Sequence, residues 1–595
     1  MLKTTKRFIW VAGVSGLLVY PWLAASYEVH VLTVIGIFVM TAVGMNILVG
    51  YVGLVSLGHA GLFAIGAYTS ALLSTRVQVS FWLASLAGLL LAAAAGAVLA
   101  VAALRARGIS LAMVTIAFGI MVEQLALDQD EFTGGFMGIS SIPAPAIARS
   151  VLPPPVRCCL FLFLAGLSMW LASNLRHCRW GRGFFAVREN WVAAASLGIS
   201  RYRMETTAFV VSAAFVGYAG ALYAHHHAYI APNIFSFDLS VLMLLMVILG
   251  GLGTVWGPAL GAVVLLILPE LISGFQSFRL IVYGAVMLGC LYLMPQGIAG
   301  YCKARRRRPH DPDVSGKRED QGVRTTPVSE IFTRHASTVK GQPLVEAEKL
   351  TKVFGGLVAV DQVDFTVTSG VIHSLIGPNG AGKTTLLNLV SGFYQSTSGQ
   401  LRFQGQSIVG GPAYGMAAIG IARTFQATRL FPQLTVLENV MVGLHHHLHE
   451  GFGQALLRTP KLRRQEREAE YLGRAVLDFV GFPGAPGALA GTLAFGHQRL
   501  VEIARALATR PILLLLDEPA AGLTSWEIAE LDRLMTRIKA LGITVLLIEH
   551  HMELVMSISD WVTVLDYGRK IADGKPGEVQ MDSRVIEAYL GHDHD

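Results

Sequence analysis

Long stretches almost free of charge fill the first 302 residues, and nothing else in the sequence restricts the fold so sharply. A helix needs about 20 apolar residues to cross a bilayer, and it must satisfy its backbone N–H and C=O groups within itself. Such runs begin near Phe8, Val29, Val55, Phe81, Ile109, Leu160, Met204, Leu239, Gly257 and Leu280. They predict a polytopic α-helical membrane domain of about 8–10 spans, the run from Gly257 being short enough to re-enter. Charged residues make up only 15% of the chain, against about 25% in soluble proteins. The deficit lies in this first half, since residues 340–595 carry an ordinary mixture.

The formal net charge is +7. Much of the excess flanks apolar runs: Lys3, Lys6 and Arg7 precede the first, and Arg305 to Arg308 follow the last. The loop from Arg176 to Arg203 adds Arg179, Arg182, Arg188 and Arg201. The positive-inside rule places both ends and this loop in the cytoplasm, so the basic balance calls for a lipid bilayer and for no nucleic acid. Asp128, Asp130 and Glu131 then fall outside. The outside stretch Ile142 to Val156 holds five prolines, which favour an ordered loop over a span. Residues 303–342 are charged and poor in aromatic residues, a flexible tether by composition. The expected division is a multi-helix membrane domain at 1–302, the tether at 303–342 and a separately folding domain at 343–595.

Small residues crowd two membrane segments, Gly50 to Gly66 and Gly250 to Gly261. Close helix packing explains them, and so does a broken helix lining a solute path. Ser56 and His59 are the polar candidates for such a path. His225 to His227, and His445 to His447 with His449, read as interfacial or solvated residues, because consecutive residues on a helix cannot all face one ion.

Chemistry is concentrated in the second half. Gly377-Pro-Asn379-Gly380-Ala-Gly382-Lys383-Thr384 matches the phosphate-binding loop pattern. Val371 to Ile376 reads as the buried strand before it, and Thr385 to Val390 as the helix after it. Glycines let backbone N–H groups turn inward around phosphate oxygens, and the helix N-terminus adds partial positive charge. Lys383 reaches toward the outer phosphates and Thr384 offers a hydroxyl to Mg²⁺. About 130 residues later, Ile512 to Leu516 forms an apolar strand that delivers Asp517 and Glu518 at its end. Asp517 is placed to hold the Mg²⁺ shell, and Glu518 to orient and deprotonate an attacking water.

With these motifs the segment Leu344 to Leu590 resembles an ABC ATPase, an α/β P-loop fold. The resemblance implies further roles. Gln426, in Arg423-Thr-Phe-Gln426, corresponds to the glutamine that senses Mg²⁺ and faces the permease. His550 corresponds to the switch histidine at the γ-phosphate, and Phe354 to the ring that stacks on adenine. Ala494 and Gly496, in Leu493-Ala-Phe-Gly-His-Gln498, stand in the signature region that contacts ATP across a dimer. Ala494 lacks the hydroxyl usual there, which removes a bond worth about 1.5–3 kcal/mol at most and implies two unequal ATP sites in the assembled transporter. Thr524 stands where the adjoining loop usually carries Asp or Asn.

Gly420 to Gln426, Leu430-Phe-Pro and Leu434 to Val440 are similar to the ATPase subunits of branched-chain amino-acid importers. Gly53 to Ala60 and Gly251 to Pro258 resemble a permease subunit of the same systems. The chain thus looks like a type I importer-like permease fused to its ATPase. Ala186 to Ile199 resembles the coupling loop, although Trp191 and Ala195 stand where family members often carry acids. The resemblance implies ATP-driven import of branched-chain amino acids across a bacterial inner membrane, with the ATPase in the cytoplasm. It also implies ATP and Mg²⁺ as cofactors, and a second permease subunit, a second ABC ATPase subunit and an external solute-binding protein as partners. Import of urea or short amides shares these motifs. Export, or a membrane ATPase that moves no solute, fits the short loops less well.

Overall fold

The computed structural model describes residues 19–105, 108–147, 150–271, 296–306, 341–449 and 451–590, with scattered positions at 16 and from 281 to 294. The chain forms two compact units. One comprises Met1–Phe184, Tyr202–Asp311 and Ala455–Leu457, and the other Phe185–Arg201, Pro312–Gln454 and Arg458–Asp595.

Among the described residues of the first unit, six stretches are helical, long and apolar enough to cross a membrane: Ser26–Val52, Phe81–Ala103, Ile109–Asp128, Pro154–Arg176, Arg201–His227 and Pro232–Gly250. Gly257–Pro269 is a shorter apolar helix. The runs expected from Phe8 and from Leu280, and most of the tether, fall outside the described residues. The run expected from Val55 begins instead at His59, as an 18-residue helix ending at Arg76 that is not among the six. The reason lies upstream. The helix Ser26–Asn46 continues as a π-helical turn, Ile47–Val52, and Gly53 stops it at φ +82°. Glycine alone takes that left-handed conformation without steric cost.

The two glycine-dense segments meet. The buried Asn46 amide donates to Thr254 O and accepts the Gly253 N–H, both at 2.9 Å. It thereby satisfies backbone groups freed where the chain breaks between two helices. Close packing operates as well, since a Cβ on Gly66 would collide with the Gly217 carbonyl. His59 is fully buried, with Nδ1 2.9 Å from Ser56 Oγ and Nε2 2.9 Å from Ser212 Oγ. Both ring nitrogens are therefore occupied in an inter-helix staple. His225 is buried too, against the interfacial expectation, because Ser70 Oγ and the Pro143 carbonyl reach it at 2.8 and 2.7 Å. The proline-rich stretch is ordered: Ala146–Ile147 pairs with Ser150–Val151, and Pro154 opens the next helix at its first turn.

The loop expected to couple the halves is a kinked helix, Arg179–Ser196, and the part from Phe185 belongs to the second unit. At the kink Asn190 leaves helical geometry (φ −155°, ψ 94°), and its Oδ1 accepts the Ala193 N–H at 3.0 Å. Asn190 therefore caps a fresh short helix. That helix closes with Ile199 N–H to Ala194 O, Gly198 N–H to Ala195 O, and Gly198 at φ +83°, a Schellman stop.

The other described residues of the second unit are built on two sheets. We number its strands β1 (Pro343–Phe354), β2 (Leu357–Thr368), β3 (Ile372–Ile376), β4 (Ser398–Phe403), β5 (Gln406–Ser407), β6 (Ile421–Arg423), β7 (Leu513–Asp517), β8 (Thr544–Ile548), β9 (Trp561–Asp566) and β10 (Arg569–Gly574). One sheet has the order β6-β7-β8-β3-β9-β10, parallel except for its last pair. The other is antiparallel, in the order β2-β1-β4-β5. Strand β7 is buried on both faces, so its sequence is a continuous apolar run. Leu514 and Leu516 face a helical layer, while Leu513 and Leu515 face Phe365 and the antiparallel sheet.

Candidate ATP-hydrolysis site

Strand β3 ends at Ile376, and the chain turns at once into the glycine-rich loop. Gly377 sits at φ +144°, where a Cβ would collide with the Leu565 carbonyl. Helix α1 (Lys383–Val390) begins where the loop ends. Lys383 is buried at its N-terminus, and its ammonium donates to Gly377 O at 2.7 Å and Pro378 O at 2.8 Å. Burial pulls its pKa below the usual lysine value, opposed by Glu518 and Asp517. Thr384 and Thr385 follow in the same first turn, Thr384 exposed.

Asp517 ends strand β7 and is 2% exposed. Its Oδ2 lies 3.2 Å from Arg423 Nη2. Its Oδ1 is buried without a hydrogen-bond partner among the described residues. Burial raises the pKa of this carboxyl and Arg423 opposes the rise. The orphaned Asp517 oxygen and the exposed Thr384 hydroxyl at a helix N-terminus are donors of the kind that suit Mg²⁺, a hard cation that takes oxygen ligands.

The next residue, Glu518, is held at φ +47°, a conformation that stores strain in any residue but glycine. The Gln426 amide donates to Glu518 Oε2 at 2.8 Å, and His550 Nε2 donates to Oε1 at 2.7 Å. Two residues distant in sequence thus converge on one carboxylate. Phe354 offers an exposed ring, with Lys352 Nζ 4.8 Å from its centroid and Tyr394 meeting it edge-on at 5.1 Å. Ala494 is the N-cap of the helix Phe495–Ala508 and has no side chain to cap it. At Gly496 a Cβ would collide with Glu527, which forms a capping box with Thr524. Thr524 therefore serves the start of its own helix.

Sequence reasoning missed the groups that hold this constellation. Arg423 is buried between Phe393 and Phe425 and donates to Asn388 Oδ1 and Ser391 Oγ as well as to Asp517. Arg499 donates to the carbonyls of Phe425, Gln426 and Glu518 and pairs with Glu502 at 3.0 Å. Glu549 accepts the N–H groups of Ala520 and His550. The available signal was a charge inside a strand at Arg423, and charges three residues apart on the apolar side of a helix at Arg499, Glu502 and Arg505.

The coupling helix reaches the same unit. Gln433 N–H donates to the Glu189 carboxylate at 3.1 and 3.4 Å. Gly198 lies close to Ala417 and His446, leaving little room for a Cβ. The contact falls at Gln433, seven residues past Gln426. Trp191 is 43% exposed, and Arg201 lies over its ring at 5.5 Å. Burial pushes the Glu189 carboxyl up to about 7, opposed by the Gln433 amide and Arg188.

This fold and site define a nucleotide-binding, ATP-hydrolysing ABC cassette carried on the same chain as a membrane permease. Residues 28–291 match the permease component of branched-chain amino acid transport systems, 360–521 match ABC transporters, and 569–595 match the branched-chain amino acid ATP-binding cassette transporter family. The high-affinity branched-chain amino acid transport ATP-binding protein BraF of Pseudomonas aeruginosa is 47% identical over 251 residues, 42% of this chain and 98% of that protein. LivG of Escherichia coli, of the same description, is 44% identical over 251 residues, again 42% and 98%. The crystal structure of a nucleotide-free ATP-binding cassette from an ABC transporter aligns at 32% identity with a TM-score of 0.38, covering 42% of this chain and all of that one. The chain belongs to the branched-chain amino-acid ABC transporter family, with permease and ATPase in one polypeptide. It is a multi-pass membrane protein that couples ATP hydrolysis to transport.

Proposed function

We propose that this chain imports branched-chain and related hydrophobic amino acids across a bacterial inner membrane, as one permease-plus-ATPase subunit of a larger assembly. The convergence of Gln426, Glu518 and His550 beside the phosphate loop carries the reading. Residues 1–302 act as the permease, 303–342 as the tether and 343–595 as the cassette. Phe354 stacks on adenine. Gly377, Asn379, Gly380, Gly382, Lys383, Thr384 and Thr385 cradle the phosphates. Asp517, Thr384 and Gln426 are the Mg²⁺ candidates, and the ion, when bound, neutralises phosphate charge. Glu518 takes the proton of the attacking water, and its two hydrogen bonds fix where the carboxylate points. His550 faces the γ-phosphate. Ala494 and Gly496 present the start of their helix to ATP held by a second cassette.

One cassette supplies one phosphate loop and one signature helix, and a composite site needs the pair twice. A second ABC ATPase and a second permease subunit complete the transporter, and an external solute-binding protein delivers the amino acid. Glu189 transmits cassette movement to the membrane helices through Gln433.

Uptake into proteoliposomes that hold the chain with these partners tests the reading. Labelled leucine should enter, and Glu518→Gln should reduce uptake by at least about 100-fold, the scale expected for loss of a general base. Urea entering in place of leucine would replace the substrate but keep the site. Hydrolysis with neither flux would refute transport.

A further inference from the structure

The C-terminal helix Ser583–Leu590 has no part in the chemistry described above. Asp582 precedes it, accepting the Arg584 N–H at 2.9 Å and pairing with the Arg584 guanidinium at 2.8 Å. Val585 is buried in a cluster with Ile376, Val562 and Val564. Tyr589 lies four residues further on, and positions i and i+4 share one face of a helix. That face meets the end of β3. The Tyr589 hydroxyl accepts the backbone N–H of Gly377 at 2.8 Å, across 212 residues of sequence.

Gly377 is the hinge at which the phosphate loop leaves its strand. Having no side chain, it cannot fix that angle itself, and its neighbour Ile376 is the last residue of β3. The peptide groups on its two sides are held by side chains instead. Lys383 takes the carbonyl and Tyr589 takes the amide. Elsewhere the helix stands off from the loop, across a cleft of about 440 Å³ lined by Asn379, Gly380, Arg584 and Glu587. The hydroxyl thus reaches Gly377 at the edge of this cleft. Its chemistry suits the place: a phenol accepts an N–H without bringing a negative charge toward ATP, as a carboxylate would.

We propose that Tyr589 is a positioning residue for the phosphate loop. Its hydroxyl fixes the Gly377 peptide and so aims the amides that follow. The proposal rests on the reading of Gly377 to Thr384 as the phosphate cradle.

The test is MgATP binding to the full chain in lipid nanodiscs, for the parent, Tyr589→Phe and Lys383→Ala. Tyr589→Phe keeps the ring and removes the acceptor. It should raise the Kd for MgATP about fivefold to tenfold, with a small fall in the nucleotide-free Tm from the unpaired Gly377 N–H. Lys383→Ala should abolish binding. If it binds like the parent, the cradle reading fails and the proposal falls with it. If Lys383→Ala fails to bind and Tyr589→Phe keeps the parental Kd, the proposal alone is overturned. A lowered Tm with an unchanged Kd overturns it too, since the contact then only tethers the helix. Coupling between two sites is reciprocal. MgATP should therefore slow amide exchange in residues 583–590 of the parent and not of Tyr589→Phe, and an absence of protection in the parent counts against the proposal.

Discussion

The surroundings of His59 and of Asp517 bury polar groups in opposite ways. In the membrane unit the buried groups around His59 are uncharged partners sewn to each other, an imidazole between the hydroxyls of Ser56 and Ser212. In the cassette unit full charges go inside, Arg423 against Asp517 and Arg499 against Glu502. Hydroxyl and imidazole pairs join helices without leaving a charge in a low-dielectric interior. Buried ion pairs are expensive to form, but they hold a carboxylate at a fixed place with a fixed partner.

Breaking the cassette pair should produce the largest effect. Arg423→Met keeps the apolar stem and strands the Asp517 carboxylate, at a cost of about 3–5 kcal/mol in the nucleotide-free protein. Chemical denaturation of the nanodisc-held chain reads this directly, and a loss below about 1 kcal/mol would erase the contrast. His59→Leu should have a smaller effect, about 1–3 kcal/mol, because it leaves two hydroxyls without their partner but buries no charge. The same denaturation series compares the two, and a His59 variant that loses transport while keeping full stability would turn the staple into a pathway residue.

The smallest effect sharpens the comparison at the coupling helix, where one carboxylate is half-buried with a backbone amide as partner. The Glu189 carboxyl is raised from an ordinary 4.5 to about 7, so the docked helix favours the protonated acid. Docking is fully present below about pH 4.5 and weakens as pH rises through about 7. Glu189→Gln keeps an accepting oxygen for Gln433 and cannot ionise. Leucine uptake per ATP hydrolysed should fall between about pH 6 and pH 8 in the parent and stay flat in the variant.

What the sequence made legible follows from how each feature is encoded. The glycine-rich loop and Asp517-Glu518 lie in contiguous residues, because a strand end delivers neighbours together. Gln426 and His550 came through resemblance, and the fold places both on Glu518. Arg423 was not legible, because its value lies in Asp517, 94 residues away in sequence. Tyr589 was hidden for the same reason. Among the membrane helices, hydropathy located six apolar spans but not the stop at Gly53, which is a backbone event invisible to a sliding sum. The interfacial reading of His225 missed a burial that depends on a serine and a proline carbonyl from other segments.

The Glu189 contact has a consequence for how such transporters diversify. The carboxylate recognises a main-chain N–H of Gln433 and not its side chain. Any residue except proline offers that group. The docking point is therefore nearly blind to sequence drift in the cassette, and a foreign cassette with the same loop shape could be spliced behind this permease without re-tuning that position. Interchangeability is written into the choice of a peptide bond as the thing to grasp.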